Sequence, residues 1–217
     1  AIGRNALGAA TNAGYCICIG LEAGKDAPSY SAIVGNYAGS NMASTATETC
    51  LFGQGAGKYV TGTKNTYIGY LSGKGSGSTT ADSISNTAVG RQALKDVTTG
   101  HSNTSIGVDS GLAITSGEKN TLLGWASGDK ITTGKSNICI GPFSGPRVAD
   151  NDENYRLYID TRARDAGFLG LEPRGTDSLI YGQQYDGTTN KDTLSFNANV
   201  TINNLNNSES SNGNLTV

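Results

Sequence analysis

The chain has 217 residues, 31 of them Gly, and a formal net charge of −2 from 16 Lys plus Arg against 18 Asp plus Glu. Leu, Ile, Val and Phe together number 41, about 19%, which argues against an ordinary globular core, while a charge this close to neutral lacks the self-repulsion of a disordered chain. The same balance leaves no basic run able to neutralise a phosphate backbone, and no stretch approaches 18 consecutive apolar residues, so neither nucleic acid nor membrane insertion is expected.

The chain repeats itself from its first residues. An apolar residue followed by Gly recurs as Ile2-Gly3, Ile19-Gly20, Val34-Gly35, Phe52-Gly53, Ile68-Gly69, Val89-Gly90, Ile106-Gly107, Leu123-Gly124 and Ile140-Gly141. The steps between these glycines are 17, 15, 18, 16, 21, 17, 17 and 17 residues, too short for domains and suited to single coils of a solenoid. Each repeat Gly marks a corner, where the backbone needs a conformation closed to other residues or where another backbone passes close by. The chain opens within a repeat at Ala1 and without Met, and is expected to be a fragment or a processed product.

Ahead of each Gly the residues alternate like a short strand, as in Thr66-Tyr67-Ile68, Thr104-Ser105-Ile106 and Ile138-Cys139-Ile140, with the β-branched residues expected to face inward. Small Ala, Ser or Gly three and four positions after the repeat Gly are expected where coils pack tightly. Turn chemistry precedes the strands in Thr61-Gly62-Thr63-Lys64-Asn65 and its later copies. The spacing predicts a hydrogen-bonded ladder of Asn65, Asn86, Asn103, Asn120 and Asn137. At one strand spacing of about 4.8 Å per coil the repeats would form a rod on the order of 40 Å long.

The long step between Gly69 and Gly90 holds about four extra residues within 74–82, expected to protrude as either a contact loop or an indifferent surface excursion. Cys16, Cys18, Cys50 and Cys139 read as packed thiols without disulfides. Cys16 and Cys18 lie roughly 7 Å apart along one strand face, too far for an unstrained bridge. With His101 the only histidine, no zinc ligand set is present and no cofactor is implied.

The expected organisation is a solenoid shaft or head over 1–145, a polar transition over 146–154, a short-strand segment over 155–202 and an Asn/Ser-rich tail over 203–217. Strands are predicted at 157–160, 168–171, 179–182, 193–196 and 199–202. The fold class is therefore all-β: a repetitive β-solenoid with coils of about 17 residues, followed by a small β-rich segment.

The pattern Asn-Thr-x-Ile-Gly-x-x-Ser/Ala-Gly resembles the repeats of trimeric phage tail fibres, and also the β-roll heads of trimeric autotransporter adhesins. The run from Leu157-Tyr158-Ile159-Asp160 to Ala198-Asn199-Val200-Thr201-Ile202 is similar to the segment on the C-terminal side of such repeats in phage fibres, often just before a self-cleaving C-terminal chaperone. The resemblance implies a homotrimeric structural fibre of a virion tail, assembled in the host cytoplasm. Its partners would be other fibre or tail proteins and a host cell-surface glycan or protein receptor. Sparse apolar content points independently to oligomerisation, with the recurrent Ile, Val, Leu and Phe buried between three chains.

Two other readings stand beside it. A polysaccharide-cleaving spike would need paired carboxylates, for which Asp109, Glu118 and Asp129 are the candidates, and a solvated charged face is the bland alternative. A bacterial surface adhesin would share the repeat. No nucleotide fingerprint or nucleophile elbow occurs, so the expectation is a protein that is not an enzyme. Tyr37, Tyr70, Trp125 and Phe143, one or two positions after a repeat Gly, could stack on saccharide rings or serve core or intersubunit packing.

Overall fold

The computed structural model describes residues 1–9, 14–27, 30–43, 45–77, 82–146, 154–160, 180–184 and 193–196. Eight successive coils each contribute one three-residue strand: β1 (Ile17–Ile19), β2 (Ala32–Val34), β3 (Cys50–Phe52), β4 (Thr66–Ile68), β5 (Thr87–Val89), β6 (Thr104–Ile106), β7 (Thr121–Leu123) and β8 (Ile138–Ile140). They stack in chain order as parallel neighbours, with Thr104, Ser105 and Ile106 opposite Thr121, Leu122 and Leu123. The protein is an all-β solenoid, as the glycine spacing predicts. Each coil winds around its own interior, and its strand neighbours are the preceding and following coils of the same chain.

β9 (Arg156–Ile159) continues the parallel stack on β8, after which β10 (Ile180–Gln183) and β11 (Thr193–Phe196) run antiparallel and complete an 11-stranded sheet. These three match the strands expected at 157–160, 179–182 and 193–196. The strands expected at 168–171 and 199–202, the tail over 203–217, the tip of the 74–82 insertion and residues 147–153 of the transition lie outside the described residues.

The repeat glycines satisfy both reasons for their presence. Gly107 has φ of 141°, a region that side chains of L-residues avoid, and a Cβ built on it would fall inside the carbonyl of Gly124 on the next coil. Its N–H meanwhile donates to the Val89 carbonyl of the previous coil at 2.8 Å. The glycines thus form a column along which coils hydrogen-bond and nearly touch.

The predicted asparagine ladder is present and buried from Asn65 to Asn137. Within it Asn103 Nδ2 donates to Asn86 Oδ1 at 3.1 Å and to the Gly117 carbonyl at 2.8 Å, and its own Oδ1 accepts from the Asn120 N–H at 3.0 Å. The residue before each Asn, such as Ser102 at φ 58° or Lys119 at φ 57°, takes the left-handed conformation that turns the chain into the strand. At the two preceding coils Ser31 and Thr49 occupy this position, joined by a 3.1 Å hydroxyl contact. The ladder side chains therefore find partners one coil away instead of unpaired burial.

The inward direction of the strands corrects the sequence expectation. It is the central residue that points inside: Cys18, Ile33, Leu51, Tyr67, Ala88, Ser105, Leu122, Cys139 and Tyr158 are all fully buried. The β-branched flanks, as in Thr104 and Ile106, face out. With only three residues per strand, the pleat gives one inward side chain per strand.

Two further columns complete the core. Ala23, Ala38, Ala56, Ser72, Ala93, Ser110, Ser127 and Ser144, three positions after the repeat Gly, are buried as expected for close coil packing. Four residues further on, Ala27, Met42, Val60, Val97, Ile114 and Ile131 form an apolar column that sequence reading missed. Coil length varies between this column and the ladder, so the rest of the coil keeps its register.

Candidate functional site

What a solenoid offers to partners is its outward columns, and four can be built from these residues. The first lies on the sheet. Because the central strand residue points in, the residue before each repeat Gly points out, and Ile19, Phe52, Ile68, Ile106, Leu123 and Ile140 form an exposed apolar stripe. Phe52 is 57% and Leu123 47% exposed, apolar area that the coil itself leaves in water. Where β10 and β11 reverse direction, a cleft of about 270 Å³ opens beside the other outward flank of β8, lined by Ile138, Tyr155, Leu157 and Leu194 among others.

The second column follows the glycine corner and holds the aromatic candidates. Tyr37, Tyr70 and Trp125 are exposed, and Phe143 is half-buried. Trp125 and Phe143 meet with ring centroids 4.5 Å apart and planes tilted by 59°, on adjacent coils joined by the Phe143 N–H to the Trp125 carbonyl at 2.7 Å. Tyr37 and Tyr70 stand two coils apart with Gln54 between them, so the four do not converge on one ring-sized platform. Tyr15 and Tyr30, which sequence reasoning passed over, stack at 5.5 Å on the turn before the strands.

The third set comprises paired charges, between coils at Asp109 and Glu118 and within one coil at Asp129. Asp109 accepts from Arg91 at 2.7 Å, Glu118 lies 3.0 Å from Lys135 Nζ and 3.3 Å from His101 Nε2, and Asp129 lies 2.9 Å from Lys130 Nζ. The hydrogen bond from Lys135, aided by the charges of His101 and Lys119, holds the Glu118 carboxyl below its ordinary range. The three candidate carboxylates occupy different coil positions, and each turns to a basic neighbour. Asp109 Oδ1 is buried with no hydrogen-bond partner among the described residues.

The fourth column is basic. Lys58, Lys74 and Lys95 stand five residues after successive repeat glycines, on three adjacent coils. Their backbones are in direct register: the Tyr59 N–H donates to the Lys74 carbonyl at 2.9 Å and the Gly75 N–H to the Lys95 carbonyl at 3.0 Å.

No disulfide joins the four cysteines. Cys18 and Cys139 are buried and Cys16 is half-buried, but Cys50 is exposed, correcting the expectation that all four are packed. Cys50 opens β3, whose outward flanks include Phe52. Burial, aided by Cys16, pushes the Cys18 thiol up to about 11, which keeps it protonated and inert. Among the described residues no helix is long and apolar enough to cross a membrane. No protein-family model, curated protein or solved structure matches this chain.

Proposed function

We propose that this chain is the structural segment of a homotrimeric β-fibre that serves host-cell attachment on a virion tail, without catalysis of its own. The observation that carries the reading is the outward apolar stripe from Ile19 to Ile140. Contiguous apolar surface of this length marks an interaction face. A stripe repeated on every coil is suited to a partner with the same coil spacing, and two further copies of the chain have that spacing. Three parallel solenoids with stripes turned to a common axis would bury Phe52, Ile68, Ile106 and Leu123 together. The cleft at Ile138 and Leu194 would give the interface a place to change partner elements at the strand reversal. The engagement of Asp109, Glu118 and Asp129 in ion pairs supports a structural role over cleavage, since a glycosidase needs two carboxyls facing one bond.

Light scattering coupled to size exclusion tests the assembly. The expected particle has three times the 22.3 kDa chain mass, and Leu123→Glu, which places a charge in the stripe, shifts it to monomer. A wild-type protein that elutes as a folded monomer would overturn the reading. The attachment role is tested by pull-down of the fluorescent trimer on bacterial cells, where uniform failure to bind any surface tested would overturn it.

A further inference from the structure

We infer that the lysine column Lys58–Lys74–Lys95, held by Tyr37 and Tyr59, is a binding site for an acidic polysaccharide laid along the solenoid axis. At two other places opposite charges face each other from coil to coil: Arg91 meets Asp109, and His101, Glu118 and Lys135 follow one another. Here three cations follow one another instead. Like charges directly opposite on neighbouring strands repel, and at one coil rise of about 4.8 Å they lie well inside the screening length. The only carboxylate in ion-pair range of the column among the described residues is Asp96, 3.7 Å from Lys95. Lys58 and Lys74 have none.

The two unmatched ammonium groups are held by tyrosine rings. Lys58 Nζ lies 5.1 Å from the Tyr59 centroid and 5.8 Å from that of Tyr37, and Lys74 Nζ lies 5.9 Å from Tyr59. A ring face orients a cation without neutralising it. Both lysines are half-buried, so their stems are fixed and little rotamer entropy remains to be lost when an anion arrives. Tyr37 and Ser76 beside them are exposed and add hydroxyl groups that suit a ligand carrying both carboxylates and hydroxyls. Successive lysines are spaced by one coil, comparable to the length of one sugar unit, so an extended acidic chain can present one ring to each coil. This repeating geometry favours a polymer over a single small anion.

The inference rests on the attachment reading and supplies it with a ligand class, and its test is independent of assembly. Binding of oligogalacturonate to the full chain is measured by calorimetry at low and at physiological salt. The neutral galactan counterpart and inorganic polyphosphate serve as comparison probes. The wild type is expected to bind oligogalacturonate and not galactan. K58Q/K74Q, which keeps the stems and removes two charge-assisted contacts, weakens that binding by about tenfold or more. K130Q, which removes a cation already matched by Asp129, leaves it unchanged. Equal binding by K58Q/K74Q, equal loss in K130Q, or binding of polyphosphate without oligogalacturonate would each overturn the site. Circular dichroism and light scattering on the same variants show whether fold and assembly persist. Failure of the site with an intact trimer leaves the fibre reading standing, and a monomeric wild type that binds oligogalacturonate through these lysines sinks only the fibre.

Discussion

Replacing Asn103 by Ala removes one rung of the buried ladder, and the cost can be worked from the contacts. Asn103 Nδ2 donates to the Gly117 carbonyl and Asn86 Oδ1, and its Oδ1 accepts from the N–H and the side-chain amide of Asn120. After truncation Asn86 Oδ1 still accepts the Asn103 N–H at 2.9 Å, and Asn120 Nδ2 still donates to the Gly134 carbonyl at 2.8 Å. The Gly117 carbonyl and the Asn120 N–H lose their ladder partner, and both residues are buried. At about 1–3 kcal/mol for each unsatisfied buried group, the loss is about 2–6 kcal/mol, a large part of the roughly 5–15 kcal/mol that holds a domain folded. Urea denaturation followed by far-ultraviolet circular dichroism, at fixed protein concentration, reads the difference directly. Asn103→Asp, which keeps the acceptor and loses the donor to Gly117, should fall well below wild type, and Thr104→Ala on the exposed flank should change stability by less than about 0.5 kcal/mol. A change for Asn103→Ala as small as that for Thr104→Ala would refute the view that the ladder replaces apolar burial as the glue between coils.

Gly107→Ala should cost at least the roughly 1–3 kcal/mol of a strained backbone, plus displacement of the Gly124 carbonyl, and a calorimetric Tm equal to wild type would contradict the packing of the glycine column. Because the folded Glu118 carboxyl holds its proton less readily than the unfolded one, its stabilisation is complete above the ordinary carboxyl range and is lost as pH falls through the lowered folded value. The wild-type denaturation midpoint should therefore fall toward that of Glu118→Gln in acid, and parallel pH curves for the two would disprove the assignment. Thiol labelling should leave Cys18 and Cys139 untouched until the chain unfolds. Cys50, exposed on the single chain, should react in a Leu123→Glu variant and be protected in the wild type if the proposed trimer forms, and equal labelling in both would place Cys50 outside the proposed interface.

The parts of this architecture that were legible in the sequence are those where chemistry allows one residue type. Gly107 is irreplaceable at its φ and its approach to Gly124, so the glycine recurs in every coil and announces the period, while Asn103 offers donor and acceptor together and its column runs unbroken from Asn65 to Asn137. The direction of the strands was not legible, because a period of two distinguishes two faces without saying which is inside. The inward position holds Cys18, Leu51, Tyr67, Ala88 and Ser105 in turn, varying as local volume requires, whereas the outward position repeats Ile19, Ile68 and Ile106. Constancy drew attention to the wrong face. The apolar column of Val97, Ile114 and Ile131 was missed because the corner after it changes length. The lysine column escaped notice because its members are ordinary surface residues until the coil places them in register. The exposure of Trp125, at 54%, is likewise a property of the wound chain.

The switch from parallel to antiparallel pairing at β9 and β10 separates two modes of growth. A parallel coil receives an edge from its predecessor and passes an equivalent edge to its successor, so coils can be gained or lost in whole units and length is a free variable. At β10 that inheritance ends: β10 runs the opposite way, and its far edge is taken by the antiparallel β11 instead of by another coil. The reversal acts as a punctuation mark that the repeat itself lacks.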